Sequence, residues 1–206
     1  MSPTSPTSST SPTSPTSPTS PSLGLHRGPV SVAVVLALLG AALPAHATEY
    51  WTPTALLGDF FKTSQRVRPH AVVLSDVDAA EIGKKLGKDL TTKDWQVYVA
   101  EADGKRTGYA ILDREIGLHE PIDFGVRLGL NGAVDRVEIA VYREPFGDEV
   151  RGDRFRGQFI GKTPKNPIVA GQDIDIVSGA TYSSKSMALG VKRDVLVLQA
   201  ALKNGL

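Results

Sequence analysis

Between Trp95 and Tyr142 apolar and polar residues alternate with the period of two that marks half-buried strands. Trp95-Gln96-Val97-Tyr98-Val99 leads into the turn dipeptide Asp103-Gly104, and Gly108-Tyr109-Ala110-Ile111-Leu112 continues beyond it, the pattern of a β-hairpin. Phe124, Val126, Leu128 and Leu130 then alternate into Asn131-Gly132, and Val137, Ile139 and Val141 alternate out of it, predicting a second hairpin and four antiparallel strands in all. Upstream, Thr52-Pro53 reads as an N-cap followed by proline at the first helical position, with Leu56, Leu57, Phe60 and Phe61 on one face of a short helix. His70 to Leu74 is a brief apolar segment. Ser75-Asp76-Val77-Asp78 resembles a capping box with Asp in place of Glu, opening a helix through Leu86 that stops at Gly87.

Downstream the periods change. Gly152 to Gly161 is expected to form a helix showing Phe155 and Phe159 on one side, Lys162 to Gly171 a proline-broken loop, and Ile174 and Ile176 a last strand. Met187, Val191, Val195, Leu198 and Leu202 recur at helical spacing to the end of the chain, an amphipathic stripe that needs a sheet to lie on. Strands followed by helices without regular βαβ alternation predict an α+β domain: an antiparallel sheet with helices packed on it and a long C-terminal helix.

The first residues follow different rules. Residues 1–22 are Ser-Pro-Thr repeats with no charge and no large apolar side chain, a segment expected to be disordered because it cannot bury enough surface to offset the entropy of ordering. A glycosylated stalk and an upstream mis-assigned start are its two readings. Residues 23–47 read as a secretory signal: Arg27, the apolar run Val30 to Leu43, then Pro44 and the small-x-small triplet Ala45-His46-Ala47, with cleavage expected after Ala47. The alternative is an uncleaved anchor. Either reading expects residues 48–206 to form one exported domain, periplasmic or held at the outer face of the inner membrane.

Arg27 is the only cation and no acid stands before Thr48, so the 22 acids of the chain are matched one for one by the remaining Lys and Arg. That balance gives no support for nucleic-acid binding, which shows as clustered positive charge. The absence of cysteine excludes disulfides, thiolate zinc sites, Cys-held iron–sulfur clusters and Cys-linked haem within this chain. His70 has no partner at metal-ligand spacing, and no metal site is expected.

Chemistry gathers between the last expected strand and the final helix, in Asp175-Ile176-Val177-Ser178-Gly179-Ala180-Thr181-Tyr182-Ser183-Ser184. Gly179 and Ala180 allow a ligand close to the backbone, and hydroxyls cluster where a helix begins, its free N–H groups and positive dipole end favouring a phosphate. A Ser/Thr-rich helix start with no ligand accounts for the same residues.

The sequence Asp175-x-x-Ser178-Gly179-Ala180-Thr181-x-Ser183-Ser184 resembles the FMN-attachment motif of the FMN-binding domain family, which includes the G subunit of Rnf complexes and the C subunit of sodium-translocating NADH:quinone reductase. The likeness extends upstream through Gly117-Leu118, Gly147-Asp148-Glu149-Val150, Arg154-Phe155-Arg156 and Gln158-Phe159-Ile160-Gly161-Lys162. It implies that a magnesium-dependent flavin transferase joins the FMN moiety of FAD to Thr181 through a phosphoester, releasing AMP. It implies further that Asp175 belongs to the transferase recognition pattern and that Ser178, Gly179, Ala180, Ser183 and Ser184 surround the attachment point. Where the respiratory subunits carry a Glu-Thr-Pro-Gly-Leu-Gly-like loop that helps wall the flavin, this chain has Glu144-Pro145-Phe146-Gly147, and their clear transmembrane anchor is missing.

The function implied is electron transfer through covalent FMN, with a redox partner protein or membrane electron-transfer complex on either side and no catalytic residues of the chain's own. A small reductase of a diffusible substrate, and a ligand-binding domain that never receives flavin, are the alternatives. Tyr182, Phe146, Phe155 and Tyr142 are the aromatic candidates for the ring. His119 reads as an exposed loop histidine or as a proton donor to reduced flavin. Lys84-Lys85 and Arg151 to Arg156 read as solvated charge runs, the second also as a docking face for an acidic partner.

Overall fold

The computed structural model describes residues 47–206; the repeat and almost all of the signal segment lie outside them. Six strands form one antiparallel sheet in the order β1-β6-β5-β4-β3-β2, where β1 is Thr48–Glu49, β2 Arg66–Val73, β3 Asp94–Ala102, β4 Lys105–Ile116, β5 Pro121–Leu128 and β6 Val134–Tyr142. The two expected hairpins are β3–β4, which pairs Val97 with Ile111 and Val99 with Tyr109, and β5–β6, which pairs Val126 with Val137. With four α-helices packed around this sheet among the described residues, the α+β class is as the periodicity requires.

Two helices have the termini their sequences encode. In α1, Pro53–Phe60, the Thr52 hydroxyl accepts the Ala55 amide at 3.2 Å. In α2, Asp76–Leu86, the Ser75 hydroxyl accepts the Asp78 amide at 3.0 Å, and Gly87 closes the helix at φ 75°, the left-handed cap that favours glycine.

Two apolar layers follow from the alternation of the strands. One face carries Val97, Val99, Ile111, Phe124, Val126 and Ile139 against the long helix α4, Thr181–Lys203. The other carries Ala100, Ala110 and Ala140 beneath Leu56 and Phe60 of α1. The stripe from Met187 to Leu202 meets the sheet as expected, and Gly190 marks the closest approach: a Cβ there would stand 2.4 Å from Cζ of the buried Phe124 ring. Gly190→Ala is therefore expected to cost about 1–3 kcal/mol, as overpacking of a filled core does. A urea midpoint equal to that of the wild type would show that the ring yields freely.

Three local expectations change. No strand forms at Ile174 and Ile176; only an isolated bridge joins Ala170 to Ile174. The reason lies in Asp173, whose carboxylate accepts the amides of Ile168 and Val169 and pairs with Lys162, closing the segment into a loop before it can extend. The single helix expected from Gly152 to Gly161 is a one-turn α3, Asp153–Arg156, between two 3-10 turns at Asp148–Arg151 and Gly157–Phe159. Phe155 and Phe159 still share a side, edge to face at 5.4 Å. Leu130 lies in the turn after β5 and is exposed, outside the alternation. The edge of β6 not covered by the two-residue β1 is capped by Arg156, which donates to the Val137 carbonyl at 3.1 Å and pairs with Glu138.

Candidate functional site

The segment from Asp175 to Ala180 enters α4 through a left-handed Gly179, φ 81°, with nothing within 4 Å of the position a Cβ would take. Glycine is needed there for backbone freedom and not for space. Ala180 is the N-cap and has no side-chain acceptor to offer, so the helix start is uncapped. The Ser184 amide is the first to close a turn, on the Ala180 carbonyl at 2.8 Å, which leaves the amides of Thr181, Tyr182 and Ser183 without a helical acceptor.

The hydroxyls of this segment divide into two kinds. Ser184 is fully buried and its Oγ accepts the Val177 amide at 3.1 Å, tying the loop to the helix that follows it. Ser183 is 4 % exposed and lies 2.9 Å from the Tyr142 hydroxyl, which itself donates to the Phe146 carbonyl at 2.7 Å. Because Tyr142 spends its proton on Phe146, Ser183 donates to Tyr142. Burial, followed by the carboxylates of Glu144, Asp148 and Glu149, raises the Tyr142 pKa above that of an ordinary phenol, against the opposing effect of Ser183. The phenol therefore stays protonated and keeps this chain of bonds intact. Thr181 and Ser178 remain exposed to solvent.

Thr181 borders a cleft of about 330 Å³ lined by Leu118, His119, Glu144, Pro145, Phe146 and Tyr182 together with the attachment segment. Three of these are apolar side chains held in the open, Phe146 at 82 % exposure, Tyr182 at 58 % and Leu118 at 49 %. The cleft walls are braced from below. Glu144 Oε1 accepts the amides of His119 and Glu120 at 2.5 and 3.0 Å, joining the loop before β5 to the loop after β6. A Cβ on Gly117 would come within 2.7 Å of that oxygen, and one on Gly147, φ 87°, within 3.0 Å of the Ala180 Cβ. Both glycines are required by close approach.

Of the residues singled out in sequence, Thr181, Gly179, Ala180, Glu144, Phe146 and Tyr182 come together at this cleft, and His119 joins them. Ser183 also lines it, with its hydroxyl on Tyr142. Phe155 and Tyr142 are core residues. Asp175 and Ser178 line a second cleft of about 290 Å³ with Arg154 and Gln158, on the other stretch of the attachment segment. The Asp175 backbone is held there by Gln158, which accepts its amide at 2.7 Å and donates to its carbonyl at 3.5 Å, while the carboxylate is exposed. Sequence reading missed Leu118 as a cleft wall; it sits in a segment whose order resembles the family and carries no chemical signature of its own, whereas Pro145 belongs to the loop already read as a wall. Among the described residues no cluster of three metal-ligating side chains occurs, and no helix is long and apolar enough to cross a membrane.

An anionic group fits at Thr181, where free amides and the positive end of a 23-residue helix meet an exposed hydroxyl, and a planar apolar group fits beside it. Solved structures similar to the chain include NqrC from Shewanella oneidensis, at 18% identity and a TM-score of 0.49, covering 70% of this chain and 87% of that one. The C subunit of the Na(+)-translocating NADH-quinone reductase from Parabacteroides distasonis is similar at 16% identity and a TM-score of 0.44, covering 65% of this chain and 77% of that one. No curated protein sequence matches. The model of the FMN-binding domain family matches residues 117–195, from the braced loop before β5 to the middle of α4, the stretch that builds both walls of this cleft and the start of the helix.

Proposed function

We propose that this chain carries FMN esterified through its phosphate to Thr181 and serves as an exported, one-cofactor electron carrier. The observation that carries the reading is the division of the hydroxyls: at an uncapped helix start beside an apolar cleft, Thr181 is turned to solvent while Ser183 and Ser184 are buried on protein partners. In the maturation step Thr181 Oγ1 forms a bond to the flavin-side phosphorus of FAD, the pyrophosphate bond breaks, and AMP leaves; a flavin transferase supplies the catalysis. The bound flavin supplies one- or two-electron chemistry. The free amides at the start of α4 accommodate the remaining phosphate charge, a contribution of about 0.3–1 kcal/mol. Leu118, Pro145, Phe146 and Tyr182 give the ring an apolar flank, and the Glu144 brace fixes their spacing.

Covalency suits a protein outside the cytoplasm, where lost flavin is not readily replaced. The cleft walls suit a carrier, being mostly apolar, with the Glu144 carboxylate already committed to backbone amides. The partner on this reading is a membrane electron-transfer complex or a redox protein. The test is intact mass after coexpression of the full chain with a flavin transferase: gain of FMN less water supports the proposal, and an unchanged mass in the presence of a competent transferase overturns it.

Asp175 offers a second, independent check. Its backbone is anchored by Gln158 and its carboxylate is free of the fold, so Asp175→Asn is expected to leave the unfolding midpoint unchanged and to slow flavin attachment at least tenfold, on the order of one charge-assisted contact. Attachment at the wild-type rate would remove Asp175 from the recognition pattern.

A further inference from the structure

Two adjoining clefts of about 220 and 300 Å³ run between the C-terminal end of α2, the loop from Pro164 to Ala170 and the outer side of α4. They share Ile168 and Lys192. Their floor is apolar, made of Leu86, Ile168, Ala170 and Leu189, with Val169 at its margin. Their rim is basic: Lys85 from α2, Lys185 and Lys192 from α4. None of the three lysines forms an ion pair among the described residues, and residues 1–48 contain no acid that could supply one. The sole acid of α4, Asp194, is fully buried, so Lys185 and Lys192 have no carboxylate on their own helix to offset them at the surface.

The groove is also preformed. Ile168 is held at φ 47°, a left-handed conformation costly for a β-branched residue. Its amide is fixed on Asp173 at 3.2 Å, and Asp173 is clamped by Lys162 at 2.8 Å. These contacts fix the loop alongside the helix.

We propose that this groove docks an acidic segment of a partner protein, an apolar side chain of the segment entering the floor while its carboxylates meet Lys85, Lys185 and Lys192. A concave floor rimmed by charge suits an inserted side chain, whereas a flat anionic membrane would need the apolar residues to protrude. Lys185 stands one helical turn from Thr181, so a partner seated here comes to rest beside the flavin-site end of α4. The docking is a property of the protein surface and does not depend on flavin being attached.

The probe is a synthetic 12-residue peptide of Glu residues around a central Leu, titrated into the isotope-labelled full chain and followed by amide chemical shifts. Shifts confined to Val169, Ala170, Lys185, Leu189 and Lys192, weakening steeply with added salt, are expected. A peptide with Gln for every Glu, and the triple variant Lys85→Gln, Lys185→Gln, Lys192→Gln with the peptide unchanged, are each expected to bind roughly tenfold more weakly or worse. The triple variant's amide spectrum away from the groove reports that it is folded, and Lys84→Gln serves as a charge control expected to keep binding. Shifts scattered over the surface, equal affinity of the Gln peptide, or unaltered binding by the triple variant would overturn the proposal. So would sedimentation of the chain with phosphatidylglycerol vesicles that the triple substitution abolishes while peptide binding is absent, since that would make the face a membrane contact.

Discussion

Thr181→Ala is expected to give a fully folded protein that gains no flavin mass and shows no fluorescence in a denaturing gel after coexpression with a flavin transferase. Alanine removes the one exposed oxygen at the start of α4 and leaves the bonds of Ser183 to Tyr142 and of Ser184 to Val177 in place. The Thr181 hydroxyl caps nothing, because the N-cap position is Ala180 and the helix start has no side-chain bond. Stability should therefore change by no more than about 0.5 kcal/mol, the range of an exposed substitution away from special features. Thr181→Ser keeps the nucleophilic oxygen and loses the methyl that restricts its rotamer, so slowed or partial attachment is expected. If Thr181→Ala gained the full FMN mass, Ser178 would be the place to look, since it is the other exposed hydroxyl of the segment; Ser183 and Ser184 are buried with their hydroxyls engaged by Tyr142 and the Val177 amide.

Much of this arrangement is legible in the residues, and the illegible parts have physical causes. The four strands from Trp95 to Tyr142 are visible because each has one face in a core, which imposes the period of two. β2 is only partly visible: as an edge strand it carries Arg66, Arg68 and Pro69, residues that blunt an edge and erase the apolar pattern by which strands are recognised. β1 has two residues, too few to show any period. At Ile174 the apolar spacing imitates a strand, but Asp173 captures the local amides, a long-sequence-range outcome of its pairing with Lys162 that spacing does not encode.

The same contrast holds at the candidate site. The motif names Thr181 and a helix start, yet it lists four hydroxyls together, Ser178, Thr181, Ser183 and Ser184, and nothing in their order says which face inward. That separation is made by Tyr142, forty-one positions upstream of Ser183, and by the turn that brings the Val177 amide to Ser184. Glu144 reads in sequence as part of a flavin wall. In the structure it lines the cleft with its carboxylate committed to the His119 and Glu120 amides, so its contribution is to hold the wall in place.

The largest pH-dependent effect is expected from Asp194→Asn. Asp194 is completely buried in α4 and neither of its oxygens meets a donor among the described residues. Its near neighbour is the Asp113 carboxylate of β4, an acceptor like itself, with Glu115 beyond and the Arg193 guanidinium divided between Asp113 and Glu115. Lys88 also pairs with Glu115 at 3.0 Å, and Trp95 of β3 lies against Arg193, so no cation is left for Asp194 alone. Burial, and after it the charge of Asp113, pushes the Asp194 pKa well above the ordinary carboxylate value of 3.8, which favours the protonated carboxyl in the folded protein. In the unfolded chain Asp194 ionises normally. Between the ordinary value and the raised one the folded state holds a proton that the unfolded state has released, so stability falls as pH rises, by about 1.4 kcal/mol for each pH unit. Below the ordinary value both states are protonated and the burden vanishes. Asparagine keeps the shape and does not titrate. Urea midpoints of wild type and Asp194→Asn should therefore converge below the ordinary carboxylate value and separate as pH rises above it, with the variant the more stable. Carboxylates that do not interact with Asp194 affect both proteins alike and cancel in the difference, so curves that stay parallel from acid to neutral pH would mean that Asp194 carries no proton in the folded protein.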